Sequence, residues 1–485
     1  MVDIYGNADA QSRQEQKHES LYQNRVKVYP KKVAGTFRRL KWTVLIVLLG
    51  IYYIAPWIRW DRGPNAPDQA FLIDMPHRRA YFLWIEIWPQ EIYYLAGILL
   101  LGAVGLIFVT SLFGRVWCGY TCPQTVWTDL FMWVERLIEG DRTKRMRFDK
   151  APASSSKLTK KAAKHGVWLI IAALTGGAWI MYFNDAPTVV VNILTGQASL
   201  KVYGFFALFT ATTYLLAGWA REQVCVYMCP WPRFQSAMFD EDTMIVTYES
   251  WRGEPRGKHK KGTSWEGRGH CVDCKQCVAA CPTGIDIRDG VQLECIGCAL
   301  CIDACNEIMG RLDLPRGLIS YDTDRNLANK AEGKPLRYRL IRPRTIIYSV
   351  LLVVVATVMV WSLATRAQVD INVLHDRNPL FVTLSDGSIR NGYTIKILNM
   401  TREEKAYKLA FEGLGYAEMT VVGQEDSASQ NIARLTAGSD TVATYRVFMV
   451  VPADLVQGEV QDFNFVLTEL QSSETVRRGT VFRGP

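Results

Sequence analysis

All twelve cysteines of this 485-residue chain fall into spaced motifs. The thiolate form of cysteine is both a nucleophile and a soft metal ligand, so these motifs are where chemistry is expected first. Eight form two runs, Cys271-x2-Cys274-x2-Cys277-x3-Cys281-Pro282 and Cys295-x2-Cys298-x2-Cys301-x3-Cys305-Asn306. A cubane iron–sulfur cluster needs four thiolates arriving from different directions. In doubled runs of this kind the short loops present three, and the fourth crosses to the other cluster. The spacing therefore assigns Cys271, Cys274, Cys277 and Cys305 to one [4Fe–4S] cluster. Cys295, Cys298, Cys301 and Cys281 hold the second. Gly284 and Gly297 fit tight turns close to the inorganic core. Four-cysteine zinc sites use two CxxC pairs at longer separation, and disulfides do not persist in a reducing cytoplasm.

The remaining four cysteines stand in "GRVWCGYTCPQ" (Gly114–Gln124) and "REQVCVYMCPW" (Arg221–Trp231), each a Cys-x3-Cys-Pro motif. If an α-helical turn continues through each motif, the two cysteines share a face with Cβ atoms roughly 5–6 Å apart. Proline then ends the helix and turns the residue before it toward extended backbone, which aims Cys122 and Cys229. Cys118, Cys122, Cys225 and Cys229 thus make a candidate four-thiolate pocket for a soft metal or a further iron–sulfur cluster. Bulk packing competes with that reading, because buried free cysteine also behaves as a small hydrophobe. Neighbouring Met228 is read as lipid or helix packing.

Membrane helices must position these motifs. Five windows free of Asp, Glu, Lys and Arg can cross a bilayer: Trp42–Ile58, Ile92–Phe113, Val167–Phe183, Tyr203–Trp219 and Thr345–Leu363. Nine Lys and Arg precede residue 42, and eleven lie between the second and third windows. Basic loops stay cytoplasmic, so the N-terminus and clusters are expected inside and the C-terminus outside. The net charge of +9 is accounted for by topology rather than by nucleic-acid binding. "RRAYFLWIEIWPQ" (Arg78–Gln90) suits an aromatic interfacial stretch. Trp127, Phe131, Val134 and Ile138 recur at helical spacing, which fits an amphipathic surface helix or an ordinary packing helix. Beyond Arg366, short alternating runs such as "YTIKILNM" and "TYRVFMVV", with turn signals at Asp386-Gly387 and Asn391-Gly392, read as a β-sandwich. None of the six histidines falls inside a window, so a bis-histidine haem in the bundle is not expected. No nucleotide-binding fingerprint appears, which leaves the electron donor as an unidentified protein or diffusible reductant.

The fold class is a multidomain membrane protein. A polar N-terminal arm occupies 1–41, and a four-span domain with both CxxxCP motifs occupies 42–220. A dicluster bacterial-type ferredoxin domain follows at 221–344, then the fifth helix at 345–363 and an immunoglobulin-like β-sandwich at 366–485. In this combination, with "CVDCKQCVAACPTGIDIRDGVQLECIGCALCIDAC", "PRGLISYDT" and "RNPLFVTLSDGSIRNGYTIKILN", the chain resembles the CcoG/RdxA/FixG family over nearly its whole length. That resemblance implies an inner-membrane cupric reductase supplying Cu(I) for assembly of cbb3-type cytochrome c oxidase. Its implied partners are membrane lipid, copper ions and oxidase assembly components, with a homodimer left open as the oligomeric state. The chemistry is consistent, because Cu(I) favours sulfur ligands whereas Cu(II) favours nitrogen and oxygen. Asn306 departs from the usual proline after the fourth cysteine, a change expected to tune one cluster without removing a ligand. The rival readings are a polyferredoxin-type relay to another redox partner and a non-redox assembly scaffold.

Overall fold

The computed structural model describes residues 27–63, 66–259, 264–423, 431–456 and 458–485. Most of the N-terminal arm, residues 1–26, lies outside the described residues. Among the described residues five helices are long and apolar enough to cross a membrane: Thr36–Trp57, Pro89–Phe113, Ser155–Met181, Leu200–Ala220 and Pro343–Ala364. In hydrocarbon every backbone N–H and C=O must be satisfied within the segment, which makes helix the available spanning form for such sequences. The third starts at Ser155 rather than Val167, since Lys157, Lys160, Lys161 and Lys164 are good helix formers and extend it past the apolar stretch.

The chain packs as two compact units. The first draws on residues up to Ile54, on Ile98–Met181 and on Val189–Val353. Helices lying wholly or mostly in it include α1 (Thr36–Ile54), α2 (Tyr93–Phe113), α3 (Pro123–Glu139), α4 (Arg142–Lys150), α5 (Ser155–Met181), α6 (Ala186–Thr195) and α7 (Leu200–Thr213). Of the two roles open to α3, the structure selects the packing helix. Phe131 and Val134 are buried against Trp168 and Ala172 of α5 and against Ala217, so the apolar stripe faces protein. The α5–α7 contact depends on Gly176, where a Cβ would lie 2.7 Å from Thr210 Oγ1 and 2.9 Å from its nitrogen. Small residues of this kind let membrane helices approach closely.

The cluster-bearing stretch belongs to the same unit. It opens on β4 (Ile245–Tyr248) and closes on β5 (Ile319–Asp322), which pair antiparallel with Ile245 opposite Asp322 and Tyr248 opposite Ile319. Val246, Tyr248, Ile302, Met309, Leu318 and Ile319 form its core together with Cys271 and Cys277. The end of α2 seats this ribbon: Met244 N–H donates to Leu112 O at 3.0 Å and Tyr321 Oη–H to Phe113 O at 2.6 Å.

The second unit comprises Ala55–Gly97, Tyr182–Thr188 and Val354–Pro485. The stretch expected as an aromatic interface supplies the last two strands of a three-stranded meander, β1 (Phe71–Asp74), β2 (Arg79–Phe82) and β3 (Ile85–Ile87). Tyr81 and Trp88 are 2% and 3% exposed, because Arg62 and Arg79 lie over their rings. The C-terminal region is an immunoglobulin-like sandwich. One sheet runs β10 (Glu418–Val421), β12 (Thr441–Val451), β8 (Ile389–Asn399), β6 (Val369–His375), with β7 (Val382–Thr383) on β8. The other runs β11 (Ala433–Ala437), β9 (Lys405–Glu412), β13 (Val460–Glu469), β14 (Thr475–Arg483). Alternate residues Tyr393, Ile395 and Ile397 of β8 enter the core with Leu409, Met449 and Phe465, as period-two patterning requires. Asn391-Gly392, expected as a turn, instead lies inside β8. Buried Asn391 accepts from Arg483 N–H at 2.9 Å and donates to Arg483 O at 2.8 Å, and this long-range pairing overrides the local turn preference.

Candidate metal and electron-transfer site

The two cysteine runs surround two cavities. Cys271, Cys274, Cys277 and Cys305 line one, beside Tyr248 and Leu318. Cys281, Cys295, Cys298 and Cys301 line the other, with Cys277 also on its wall. Each run thus sends its fourth cysteine to the other run's cavity. Repeated backbone geometry shapes both loops: Asp273 and Lys275 have φ of 51° and 52°, Gly297 and Ala299 of 67° and 59°. Non-glycine residues adopt this left-handed region at a cost of about 1–3 kcal/mol each, and they cluster at sites where surrounding structure dictates the loop. Gly284 also turns with positive φ, at 78°.

The thiol environments suit a cationic iron–sulfur core. Burial pushes the Cys277 thiol up to about 11 and those of Cys295 and Cys305 to about 12. Such thiols ionise when a metal centre supplies the positive charge that the cavity lacks. Among the described residues no three His, Cys, Asp or Glu side chains stand at single-ion spacing. Quartets spread around a polynuclear core have that wider arrangement. Arg288 donates from Nη1 to Cys271 Sγ at 3.8 Å while paired with Asp273 and Asp286. Hydrogen bonds to cluster sulfurs are a recognised means of setting potential. Asn306 has a structural role as well. The helix Leu300–Arg311 continues through it, which proline would prevent, and its Oδ1 accepts from Gly317 N–H at 2.9 Å.

Both CxxxCP motifs form π turns rather than α turns. Cys122 N–H donates five residues back to Trp117 O at 2.9 Å, and Cys229 N–H to Val224 O at 2.7 Å. The following prolines carry no N–H and so cannot extend the turn. Such turns are rare and concentrate at functional sites. Cys122 and Cys229 are extended, with ψ of 128° and 121°, as residues before proline prefer. The four cysteines are brought together. Burial pushes the Cys118 thiol up to about 12, and nearby Cys122, Cys225 and Cys229 each push it further. The Cys225 thiol is likewise raised to about 12 by burial, with Cys122 and Cys229 adding to it. Met228 is 63% exposed, in keeping with its reading as lipid or packing surface.

This quartet lies directly on the second cluster's loop. Cys118 and Cys225 pack against Ile296, Cys298 and Leu300. A Cβ on Gly119 would fall 2.9 Å from Ile296 O and 3.0 Å from Cys298 N. A Cβ on Gly297 would fall 3.1 Å from the backbone of Arg115. Arg115 Nη1 donates to Cys295 O at 2.9 Å and to Leu293 O, Nη2 donates to Pro232 O at 2.7 Å, and Tyr120 Oη–H donates to Cys298 O at 3.2 Å. Cys118 Sγ–H donates to Gln235 Oε1 at 3.1 Å. Arg115, Tyr120 and Gln235 escape a reading based on cysteine spacing. The only signal for the first two is their place inside the first motif's stretch.

Buried ion pairs fix the motif ends. Asp129 pairs with Arg38 at 2.8 Å and has Lys41 at 3.9 Å. Asp303, in the helix after Cys301, accepts from the backbone N–H groups of Phe37 and Arg38, joining α1 to the cluster stretch. Glu135 meets Arg145 at 2.7 Å, Arg221 at 3.0 Å and Lys164 at 3.6 Å. Burial alone would raise the Glu135 carboxyl, but Arg221, Arg145 and Lys164 hold it down at about 2. Arg221 begins the second motif's stretch, so this network positions it.

Apolar spans joined to a doubled cysteine run define a multi-pass membrane iron–sulfur protein of electron transfer, an oxidoreductase in the general sense. The "4Fe-4S dicluster domain" family model matches residues 220–324, and the "4Fe-4S binding domain" model matches 95–140. The model for the "IG-like fold at C-terminal of FixG" matches 359–485. The chain is 48% identical to the nitrogen fixation protein FixG of Rhizobium meliloti, over 94% of this chain and 92% of that protein. It is 47% identical to the protein RdxB of Cereibacter sphaeroides, over 96% of this chain and 98% of that one. With RdxA of the same organism the identity is 45%, over 94% and 96%. The chain belongs to the FixG/RdxA family.

Proposed function

We propose that this protein reduces Cu(II) to Cu(I) at Cys118, Cys122, Cys225 and Cys229, for assembly of a cbb3-type cytochrome c oxidase in the bacterial cytoplasmic membrane. The observation that carries this reading is the convergence of these four cysteines on the loop that bears Cys298. When bound, the two [4Fe–4S] clusters would supply single electrons, and their eight cysteines hold them. The CxxxCP thiols offer Cu(I) the sulfur ligands it prefers, and binding releases their protons. One electron per ion completes Cu(II) to Cu(I), and the acceptors of the product are oxidase assembly components. The N-terminus and cluster stretch face the cytoplasm, and residues 366–485 face the periplasm.

The test is Cys118→Ala/Cys225→Ala in purified full-length protein, reduced with dithionite, freed of the excess by gel filtration and then given Cu(II) with a Cu(I)-specific chelator as reporter. Loss of copper reduction with about eight iron per chain retained supports the reading. Unchanged reduction overturns it. A second reading rests on the iron–sulfur family model over 95–140, whose only cysteines are Cys118 and Cys122. There the quartet holds a third cluster permanently, and the native protein carries about twelve iron, falling to about eight in the variant.

A further inference from the structure

Tyr52 of α1, Trp127 of α3, Trp179 of α5 and Phe209 of α7 line an open cavity of about 400 Å³ that also reaches Pro123, the residue after Cys122. Each cavity lined by cluster cysteines measures only about 20 Å³. The larger volume falls in the range of small-molecule sites, about 300–1,000 Å³. Two aromatic pairs form its walls. Tyr52 meets Trp127 edge-on with centroids 5.3 Å apart, and Trp179 lies 5.6 Å from Phe209 at 55°. Such rings offer faces and edges to another flat ring.

The polar groups are few and of two kinds. Gln124 spends its amide N–H groups on Leu216 O at 2.9 Å and Arg221 O at 3.1 Å, which turns its carbonyl into an available acceptor. Thr175 Oγ1 is taken up by Trp127 Nε1–H at 2.9 Å. Thr213 also stands on the lining, with a hydroxyl that can donate. Among the described residues no charged side chain lines the cavity. Three of its walls are helices long and apolar enough to span a membrane, so an occupant must be lipid-soluble.

We infer that this cavity binds the ring of a membrane quinone. The occupant is neutral, flat and lipid-soluble, and it offers carbonyl or hydroxyl oxygens at opposite ends of one ring. An acyl chain would make no use of the donor and acceptor. The assignment rests on the cavity alone and stands apart from the copper reading.

The experiment is calorimetric titration of the full chain in lipid nanodiscs with decylubiquinone, comparing variants with wild-type iron content. Saturable binding near one per chain is expected. Thr213→Val removes the hydroxyl at nearly constant shape and should weaken binding about three- to tenfold. Leu216→Trp fills the cavity and should abolish binding. Wild-type affinity in Thr213→Val overturns the site even where Leu216→Trp does not fold. Equal displacement of the quinone by 1-decanol also overturns it, by showing a space for acyl chains. Because the readout is binding, neither result depends on whether copper is reduced.

Discussion

Gly119→Ala probes the seam between the CxxxCP quartet and the second cluster loop with a single carbon. That carbon would stand 2.9 Å from Ile296 O and 3.0 Å from Cys298 N and Cα, where ordinary contact begins near 3.4 Å. All three neighbours are backbone atoms, so no side chain can swing away. The seam must open by about half an ångström. Overpacking of this size costs about 1–3 kcal/mol. At about 2–4 °C per kcal/mol for a domain of this size, the melting temperature should fall by about 2–12 °C. A displacement of 1 Å at a reacting geometry costs about a hundredfold in rate, so half of that predicts roughly a tenfold loss of copper reduction. Iron and acid-labile sulfide should stay at about eight each, because no ligand changes. Gly102→Ala on α2, whose Cβ would meet nothing within 4 Å, is the control and should be silent. If Gly119→Ala matches this control in melting and in rate, the contact does not couple the two sites.

Other perturbations test separate parts of the architecture. Cys298→Ser should lower iron from about eight to about four per chain by chemical analysis, or convert one cluster to a form with fewer irons. Glu135→Gln strips the shared carboxylate from Arg145, Arg221 and Lys164 and should cost about 3–5 kcal/mol in thermal unfolding. Because the Glu135 carboxyl is held at about 2, its contribution is complete above the unfolded value near 4.5. The gap between wild type and Glu135→Gln should therefore be constant at neutral pH and close as pH falls from about 4.5 toward 2. A reporter active only in the periplasm should work when fused after Pro485 and fail when inserted near Lys258. The reverse pattern would overturn the orientation drawn from the basic loops.

Legibility in the sequence followed the range of the interactions involved. The cluster runs were readable because two-residue spacings act locally, and the five spans because apolar composition alone decides them. The π turns at Cys122 and Cys229 were not, since α and π turns draw on the same residues and differ only in which carbonyl the last N–H reaches. Short strands such as Ile85–Ile87 carry too few residues to show alternation. Asn391-Gly392 failed as a turn because its partner, Arg483, is remote in sequence. The close packing of Gly119 on Cys298 depends on two loops meeting in space, which no single stretch records.

The pairing of β4 with β5 has a bearing on how the chain is wired. Ile245 faces Asp322 across one ladder, so the cluster-bearing stretch leaves and returns at neighbouring points. Adjacent strands lie about 5 Å apart, and from the fourth and fifth spans the whole excursion is equivalent to the loop of one hairpin. The entropy of closing that long excursion is then met inside the stretch by the ladder, with residues 221–244 and 323–342 leading to it from the spans. The cluster-bearing stretch is an inserted loop that packs back on the bundle through Cys298 and Asp303. With residues 249–318 replaced by an Asn-Gly turn, the spans should keep their connectivity, and the same C-terminal reporter would detect any span that failed to insert.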